Sequence, residues 1–445
     1  MKKIRLYIVL IPVSVLLLLV EIVLLTLLLR AKTSPIKSPE PLTFSHSINL
    51  KNLQTFTKIA EKNRIPLTVI DKALLKSIYN GSSMEDGKVI TLATFSEFVN
   101  SKIHFMDSIK SLGFQVVPLT GPNRRLLQHG YHVSIPLHHL FIRWGHALHL
   151  VVIYEREMNY WWFGGTTLNT SLKNQLFKLG LHLNWELDET ALEKFEIYPV
   201  QIFNTRLHIP KNIPSFLNQM QTSRFIECNF TQAEMFHRVH GRDESAEALE
   251  FKSDAWRLLA KAKSLLDMLN IAFWLSSGTC LGYYRQCDII RHSRDVDLGI
   301  WIKDYDSRLI STFSSHGLPL KHQFGRINDS FELSFQFGDV NEQDYVWNGG
   351  TQARTGKKFK YIFPRFSLCW TEFLELKLRI PCQTESYILA NYGPLWMTPI
   401  KTWDWKKSPS NVHENGQWPE EEWPLVIRQF QITNSKRKLK ENFFN

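Results

Sequence analysis

The chain opens with an apolar run over residues 6–29 that one charge, Glu21, interrupts. Coiled as a helix at about 1.5 Å per residue, it would reach roughly 36 Å, against about 30 Å for a hydrocarbon core. The run is too long for a signal peptide, and it ends at Leu28-Leu29-Arg30 without a small-residue cleavage site. It predicts one transmembrane signal-anchor. A stem containing Pro35, Pro39 and Pro41 follows, because those prolines cannot propagate a helix. From 49 to 240, short apolar runs alternate with polar turns. Residues 89–93, 149–154 and 198–203 read as strands, the middle one buried. Trp161, Trp162, Gly164 and Gly165 read as a turn closing a hairpin.

The periodicity changes after residue 240. Ser245 is placed to cap a helix in which Leu249, Leu258, Leu259, Ala262, Leu265, Leu266 and Leu269 recur mostly at three- and four-residue steps. Asn270 is its expected stop. Residues 272–275 form a short apolar strand that runs straight into Ser276-Ser277-Gly278-Thr279. Such a turn before a helix lets backbone N–H groups approach a phosphate closely. Sixteen residues beyond Thr279 stands Asp295-Val296-Asp297-Leu298-Gly299. On a strand, Asp295 and Asp297 would share one face while Val296, Leu298 and Ile300 face the core. Neighbouring carboxylates repel each other until a divalent cation bridges them, and oxygen-liganded Mg²⁺ or Mn²⁺ does so together with a substrate phosphate. A helix over 305–315 and strands near 318–324 and 331–337 complete an α/β unit. Arg285, Arg291, His292 and Arg294 are close enough in sequence to neutralise phosphate.

Composition narrows the picture. With 44% apolar, 13% aromatic and 21% charged residues, the chain is neither disordered nor a coiled coil. Its net charge of +11 would suit nucleic acid, but residues 1–40 and 431–445 hold ten of the Lys and Arg. Residues 41–430 are left with only +4, so no nucleic-acid partner is expected. N-glycosylation triplets at Asn80, Asn169, Asn229 and Asn328 favour a lumenal body behind the anchor, a single-pass type II arrangement. Five cysteines without a C-x-x-C pair allow one or two disulfides and give a zinc site little support; the pairing stays open. His129, His132, His138, His139, His146 and His149 lack HExxH spacing and read as surface and strand histidines.

One long pattern carries a resemblance. Residues 273–287 (Phe-Trp-Leu-Ser-Ser-Gly-Thr-Cys-Leu-Gly-Tyr-Tyr-Arg-Gln-Cys) with 295–299 (Asp-Val-Asp-Leu-Gly) closely resemble the fukutin family. So do the stretch from Trp347-Asn348-Gly349-Gly350 to Tyr361, residues 368–373, and Trp403-Asp404-Trp405. The similarity extends weakly upstream through 223–228 and 149–152 to the anchor. This family belongs with the LicD-like phosphoryl-alditol and phosphocholine transferases. The resemblance implies an α/β fold: a nucleotidyltransferase-like catalytic domain with a mixed sheet, behind an α+β N-terminal lumenal domain and one transmembrane helix. The division expected is a tail (1–5), anchor (6–29), stem (30–48), N-terminal domain (49–240), catalytic domain (241–430) and basic tail (431–445).

The resemblance also implies a Golgi enzyme that moves ribitol 5-phosphate from CDP-ribitol to the phosphorylated O-mannosyl glycan of α-dystroglycan. Fukutin-related protein and other Golgi glycosyltransferases of that pathway would be its partners, and a homo-oligomer stays open. Asp295 and Asp297 would hold the metal. Gly278 and Thr279 would cradle a phosphate with help from Arg285. Tyr283, Trp347, Tyr392, Trp396, Trp403 and Trp405 are candidate stacking platforms for cytosine or sugar. The family carries a further apolar strand with an Asp before the Trp-Asn-Gly-Gly motif, whereas only residues 336–346 intervene here. Asp344 is the candidate replacement for that third carboxylate, with Asp339 and Glu342 nearby. Two other readings remain at this stage: a catalytically silent Golgi scaffold, and a nucleotide-sugar glycosyltransferase using Asp295-Val296-Asp297 as a DxD motif.

Overall fold

A computed structural model describes residues 48–430 and Glu21, apart from 83–87, 100–102, 128, 158, 167, 169, 180, 182–186, 203, 294, 336–348 and 401. The expected anchor over 6–29 (Glu21 aside), Asp344, Trp347 and Arg294 lie outside the described residues. Among the described residues, no helix is long and apolar enough to cross a membrane.

The first unit is a mixed sheet of nine described strands: β1 (Thr68–Val69), β2 (Val89–Phe95), β3 (Gln115–Pro122), β4 (Ser134–Arg143), β5 (His146–Arg156), β6 (Tyr160–Phe163), β7 (Thr190–Glu193), β8 (Ile197–Ile202) and β9 (Thr205–Pro210). Their order is β3-β4-β5-β2-β1-β9-β8, with β6 joining β5 to β7. The pairs β2–β5 and β1–β9 are parallel and the others antiparallel. The apolar run at the centre of β5 is buried on both faces, as its lack of alternation requires. Helices α1 (Ile48–Lys62), α2 (Lys72–Asn80) and α3 (Ile103–Ser111) supply Leu53, Phe56, Leu74 and Phe105 to the core over it. The chain reverses between Arg156 and Tyr160, and not at Gly164-Gly165. Asn159 takes the left-handed backbone the reversal needs, whereas Gly164 and Gly165 lie beyond the end of β6.

The histidines do not converge on a metal. His149 and His138 are buried and hydrogen-bonded to each other at 3.1 Å, with His138 Nε2 also 2.8 Å from the Gly164 carbonyl. Burial lowers His138 to about 4, so both rings serve as neutral core groups. Among the described residues, no group of three His, Cys, Asp or Glu is arranged to hold a metal ion.

In the second unit, helix α4 (Phe230–His240) packs against helix α6 (Ser277–Gln286). Between them in sequence runs α5 (Ala246–Met268), whose cap is Ser245 as its spacing foretells, with the Ser245 side chain accepting from the Ala248 N–H. Ala255, Leu259, Ala262 and Leu265 face inward; Leu249, expected on the stripe, is exposed in the first turn. Asn270 ends the helix with a left-handed backbone. The chain then forms β10 (Phe273–Leu275), α6, β11 (Leu298–Ile300), α7 (Arg308–Ser315), β12 (Leu320–Arg326), β13 (Asp329–Phe335), β14 (Gly349–Thr351), β15 (Lys357–Tyr361), β16 (Leu368–Phe373), β17 (Leu376–Pro381), α8 (Thr384–Tyr392), β18 (Val412–Gln417) and β19 (Ile427–Gln429).

The large mixed sheet therefore lies in the first unit, not in the second, where each described strand pair is antiparallel. Several of those pairs are hairpins with very short connections, which can only fold back antiparallel. Disulfides join Cys228 to Cys287 and Cys369 to Cys382, leaving Cys280 a buried thiol. Where the two units meet, Tyr160 Oη donates to Glu372 at 2.7 Å and Arg156 pairs with Glu227 at 2.8 Å, all of them largely buried.

Candidate functional site

The site begins where β10 ends. Beyond the Leu275–Leu298 pair of β10 and β11, Ser276 N–H donates to the Asp297 carbonyl at 3.1 Å. The chain then turns sharply into α6 through Ser277, whose φ of +36° is unusual outside glycine and marks a constrained start. The first N–H groups of a helix have no partner within it and attract negative charge. Here that charge is Asp297: Gly278 N–H donates to its Oδ2 at 3.1 Å. The Asp297 amide in turn donates to Thr279 Oγ1 at 2.8 Å. Asp295 is held by a hydrogen bond from the Ser293 hydroxyl.

Two expectations change. The aspartates precede the strand, which starts only at Leu298, so the turn contacts and not strand alternation bring them to one place. Thr279 does not border the cavity; its buried hydroxyl is an acceptor for the Asp297 amide, which makes it a support for Asp297.

Asp295, Asp297, Ser276 and Gly278 border a cavity of about 400 Å³. Arg285, two turns along α6, reaches the same cavity and is only 4% exposed. Its guanidinium donates to Gln286 Oε1 at 3.0 Å and the Trp396 carbonyl at 3.4 Å, and lies 4.7 Å from the Phe236 ring. Among the described residues it makes no ion pair. Burial lowers its pKa to about 10, which leaves it charged at neutral pH. Of the other basic candidates, His292 lies at the cavity, whereas Arg291 pairs with Asp288 at 3.1 Å.

The opposite wall comes from α8, which the sequence reading did not single out apart from Tyr392. Tyr387 Oη is 2.8 Å from Ser276 Oγ, and its ring stacks on Phe363 at 4.3 Å. Asn391, one turn on, and Tyr392 also border the cavity. Their i, i+4 spacing was visible, but nothing in it told this helix from any other. Trp396, Trp403 and Trp405 line the cavity as expected, with Trp403 4.9 Å from Tyr392. Tyr283 does not: it is buried in the core, accepting from Thr371 and donating to the Ile226 carbonyl. Trp274 forms another part of the wall, and Gly299 lies so close beneath its indole that no Cβ would fit.

Comparison with known proteins supplies the family. Residues 9–256 match the family model described as fukutin N-terminal, and residues 270–383 match that of the LicD/FKTN/FKRP nucleotidyltransferase domain. The chain is 45% identical to proteins named ribitol-5-phosphate transferase FKTN from Homo sapiens and Macaca fascicularis, in each case over 330 residues covering 72% of this chain and 71% of the relative. An uncharacterized protein of Caenorhabditis elegans is 29% identical over 260 residues, 51% of this chain and 64% of its own. No solved structure matches. A chain that matches the N-terminal model and the nucleotidyltransferase model in succession, with its paired aspartates inside the second, belongs to the fukutin family.

Proposed function

We propose that this chain is a metal-dependent ribitol-phosphate transferase that uses CDP-ribitol as donor and the phosphorylated O-mannosyl glycan of α-dystroglycan as acceptor. One observation carries the reading: two carboxylates and a buried guanidinium with no acidic partner among the described residues share a single cavity. A buried cation without a counter-charge is costly, and an anionic ligand removes that cost. The relatives' name, ribitol-5-phosphate transferase, supplies the group transferred.

The donor set fits a hard divalent ion. Mg²⁺ and Mn²⁺ accept one or two protein carboxylates and complete their sphere with water and substrate phosphate. Asp295 and Asp297 would hold the ion, with Asp297 Oδ2 fixed by the hydrogen bond from Gly278 N–H. Once bound, the ion would offset charge on the pyrophosphate. Arg285 would take a phosphate oxygen. The acceptor hydroxyl attacks the ribitol-bearing phosphorus and passes its proton to the third carboxylate, the bond from that phosphorus to the bridging oxygen breaks, and CMP leaves with the electron pair. Thr279 and Ser276 keep Asp297 in place, so catalysis rests on positioning and charge. Asp344 would supply the third carboxylate.

The apolar run 6–29 and the sequons support a Golgi membrane enzyme of type II topology, with Golgi glycosyltransferases as partners. Asn80, Asn229 and Asn328 are exposed, as glycan acceptors must be. The test is incubation of the full-length chain with CDP-ribitol, a phosphorylated acceptor glycopeptide and Mg²⁺ or Mn²⁺. Acceptor mass should rise by one ribitol phosphate with equimolar CMP. Nucleotide binding without transfer would overturn the catalytic reading in favour of a scaffold. Proteolysis of sealed microsomes should spare a C-terminal tag; its digestion would overturn the topology.

A further inference from the structure

We infer that Asn391 and Tyr392, at the C-terminal end of α8, contact the hydroxyls of the transferred alditol and set its selection; the assignment rests on the transferase reading above. Asn391 is 5% exposed and borders the cavity. Its backbone carbonyl accepts from Ser410 N–H at 3.0 Å, which pins this turn of the chain. Its side-chain amide makes no hydrogen bond among the described residues, and neither does the Tyr392 hydroxyl. A primary amide brings two donors and one acceptor oxygen, all of which seek partners. Buried polar heads that open on a cavity gain their partners when a ligand arrives. Burial, with Asp297 next, holds the Tyr392 phenol well above its ordinary pKa, so it remains a donor.

Proximity to the paired aspartates distinguishes the alditol from the base, Tyr392 lying within electrostatic reach of Asp297. Asn391 stands one helical turn beyond Tyr387, whose hydroxyl meets Ser276 beside the Gly278–Asp297 contact. This is the carboxylate end, where the reacting phosphorus and the alditol attached to it must lie. The rim is different in kind: Ile400 is 49% exposed, and with the Trp396 and Trp405 rings it offers flat or apolar surface. A nucleobase needs a ring face to stack on. A polyol needs alternating donors and acceptors, which an amide beside a phenol supplies.

Titration calorimetry of the full-length chain with Mg²⁺ and CDP-ribitol, CDP-glycerol or CMP tests the assignment. Asn391→Ala and Tyr392→Phe should each weaken CDP-ribitol about tenfold while CMP changes by less than about twofold. The preference for CDP-ribitol over the shorter CDP-glycerol should shrink in both variants. An equal loss for CMP would assign these residues to the nucleotide and overturn the inference. Unchanged CDP-ribitol affinity would overturn it while leaving the transferase reading intact. Wild-type protein that binds no CDP-alditol would remove the transferase reading itself, and this inference with it. Tyr392→Phe keeps the ring against Trp403, so the test survives if Asn391→Ala folds poorly.

Discussion

The Asp297 carboxylate sits 3.1 Å from the Gly278 amide at the first turn of α6, in the position an anion takes at a helix start. The contact locks two segments, nineteen residues apart in sequence, that each supply one side of the cavity. It also decides what this helix end does: it binds the protein's own carboxylate, and the buried cation that borders the same cavity is Arg285.

Replacing Asp297 by Asn keeps an oxygen for Gly278 N–H and removes the charge. Turnover of CDP-ribitol should fall by about a hundredfold or more, with a melting temperature close to wild type. CMP release and a thermal melt on the same preparation check this. Wild-type turnover in the variant would exclude Asp297 as a charge that acts on the phosphate.

Thr279→Val removes the acceptor of the buried Asp297 N–H and should cost about 1–3 kcal/mol, read as lowered thermal stability. Thr279→Ser retains the hydroxyl and should recover most of the loss. Equal behaviour of the two variants would show that the methyl group matters and the hydrogen bond does not.

Arg285→Met should separate binding from stability. Without an acidic partner among the described residues, the buried guanidinium is a burden on the folded state, so the variant should melt at or above the wild-type temperature. Its affinity for CMP should fall about tenfold or more, because the phosphate loses its cation. Reduced stability with intact CMP affinity would reverse the assignment.

The junction of the two units should respond to pH. Burial first, then the neighbouring Glu227, raises the Glu189 carboxyl to about 7, and Trp162 Nε1 donates to it at 3.1 Å. A carboxyl raised in the folded state holds its proton where the unfolded chain has lost it. Its contribution to stability therefore declines as pH rises from about 4.5 to 7 and is constant above. His138 and His139, lowered to about 4 by burial, act in the opposite sense below pH 6.5. The Glu189 part is thus the difference between wild type and Glu189→Gln: the variant should gain melting temperature at pH 7.5 relative to pH 5. A difference independent of pH would show that Glu189 titrates normally.

Much of the site was legible because it is local. The Ser276–Thr279 turn, the Asp295–Asp297 pair and Arg285 lie within about twenty residues, and each type has a narrow chemical use. Ser245 as a cap and Asn270 as a stop were legible for the same reason, since helix ends are decided by one or two side chains. Tyr283 is not placed by its sequence context, because an aromatic residue within a motif has the same appearance whether it packs in the core or faces a ligand. Only the contacts to Ile226 and Thr371, 57 and 88 residues away, tell which.

By itself, then, the sequence determined the family, the order of the two units and the candidate residues that the cavity gathers, Asp295, Asp297, Gly278 and Arg285. All of these follow from residue types at short spacing. Tertiary structure alone decided that Asp297 caps α6, that Thr279 serves Asp297 instead of the ligand, and that Asn391 and Tyr392 of α8 close the cavity about a hundred residues further on. It also decided which four cysteines pair. The physical reason is the same in each case. These relationships depend on which surfaces of separate elements are buried against one another, and that is a property of the whole packed chain, not of any segment.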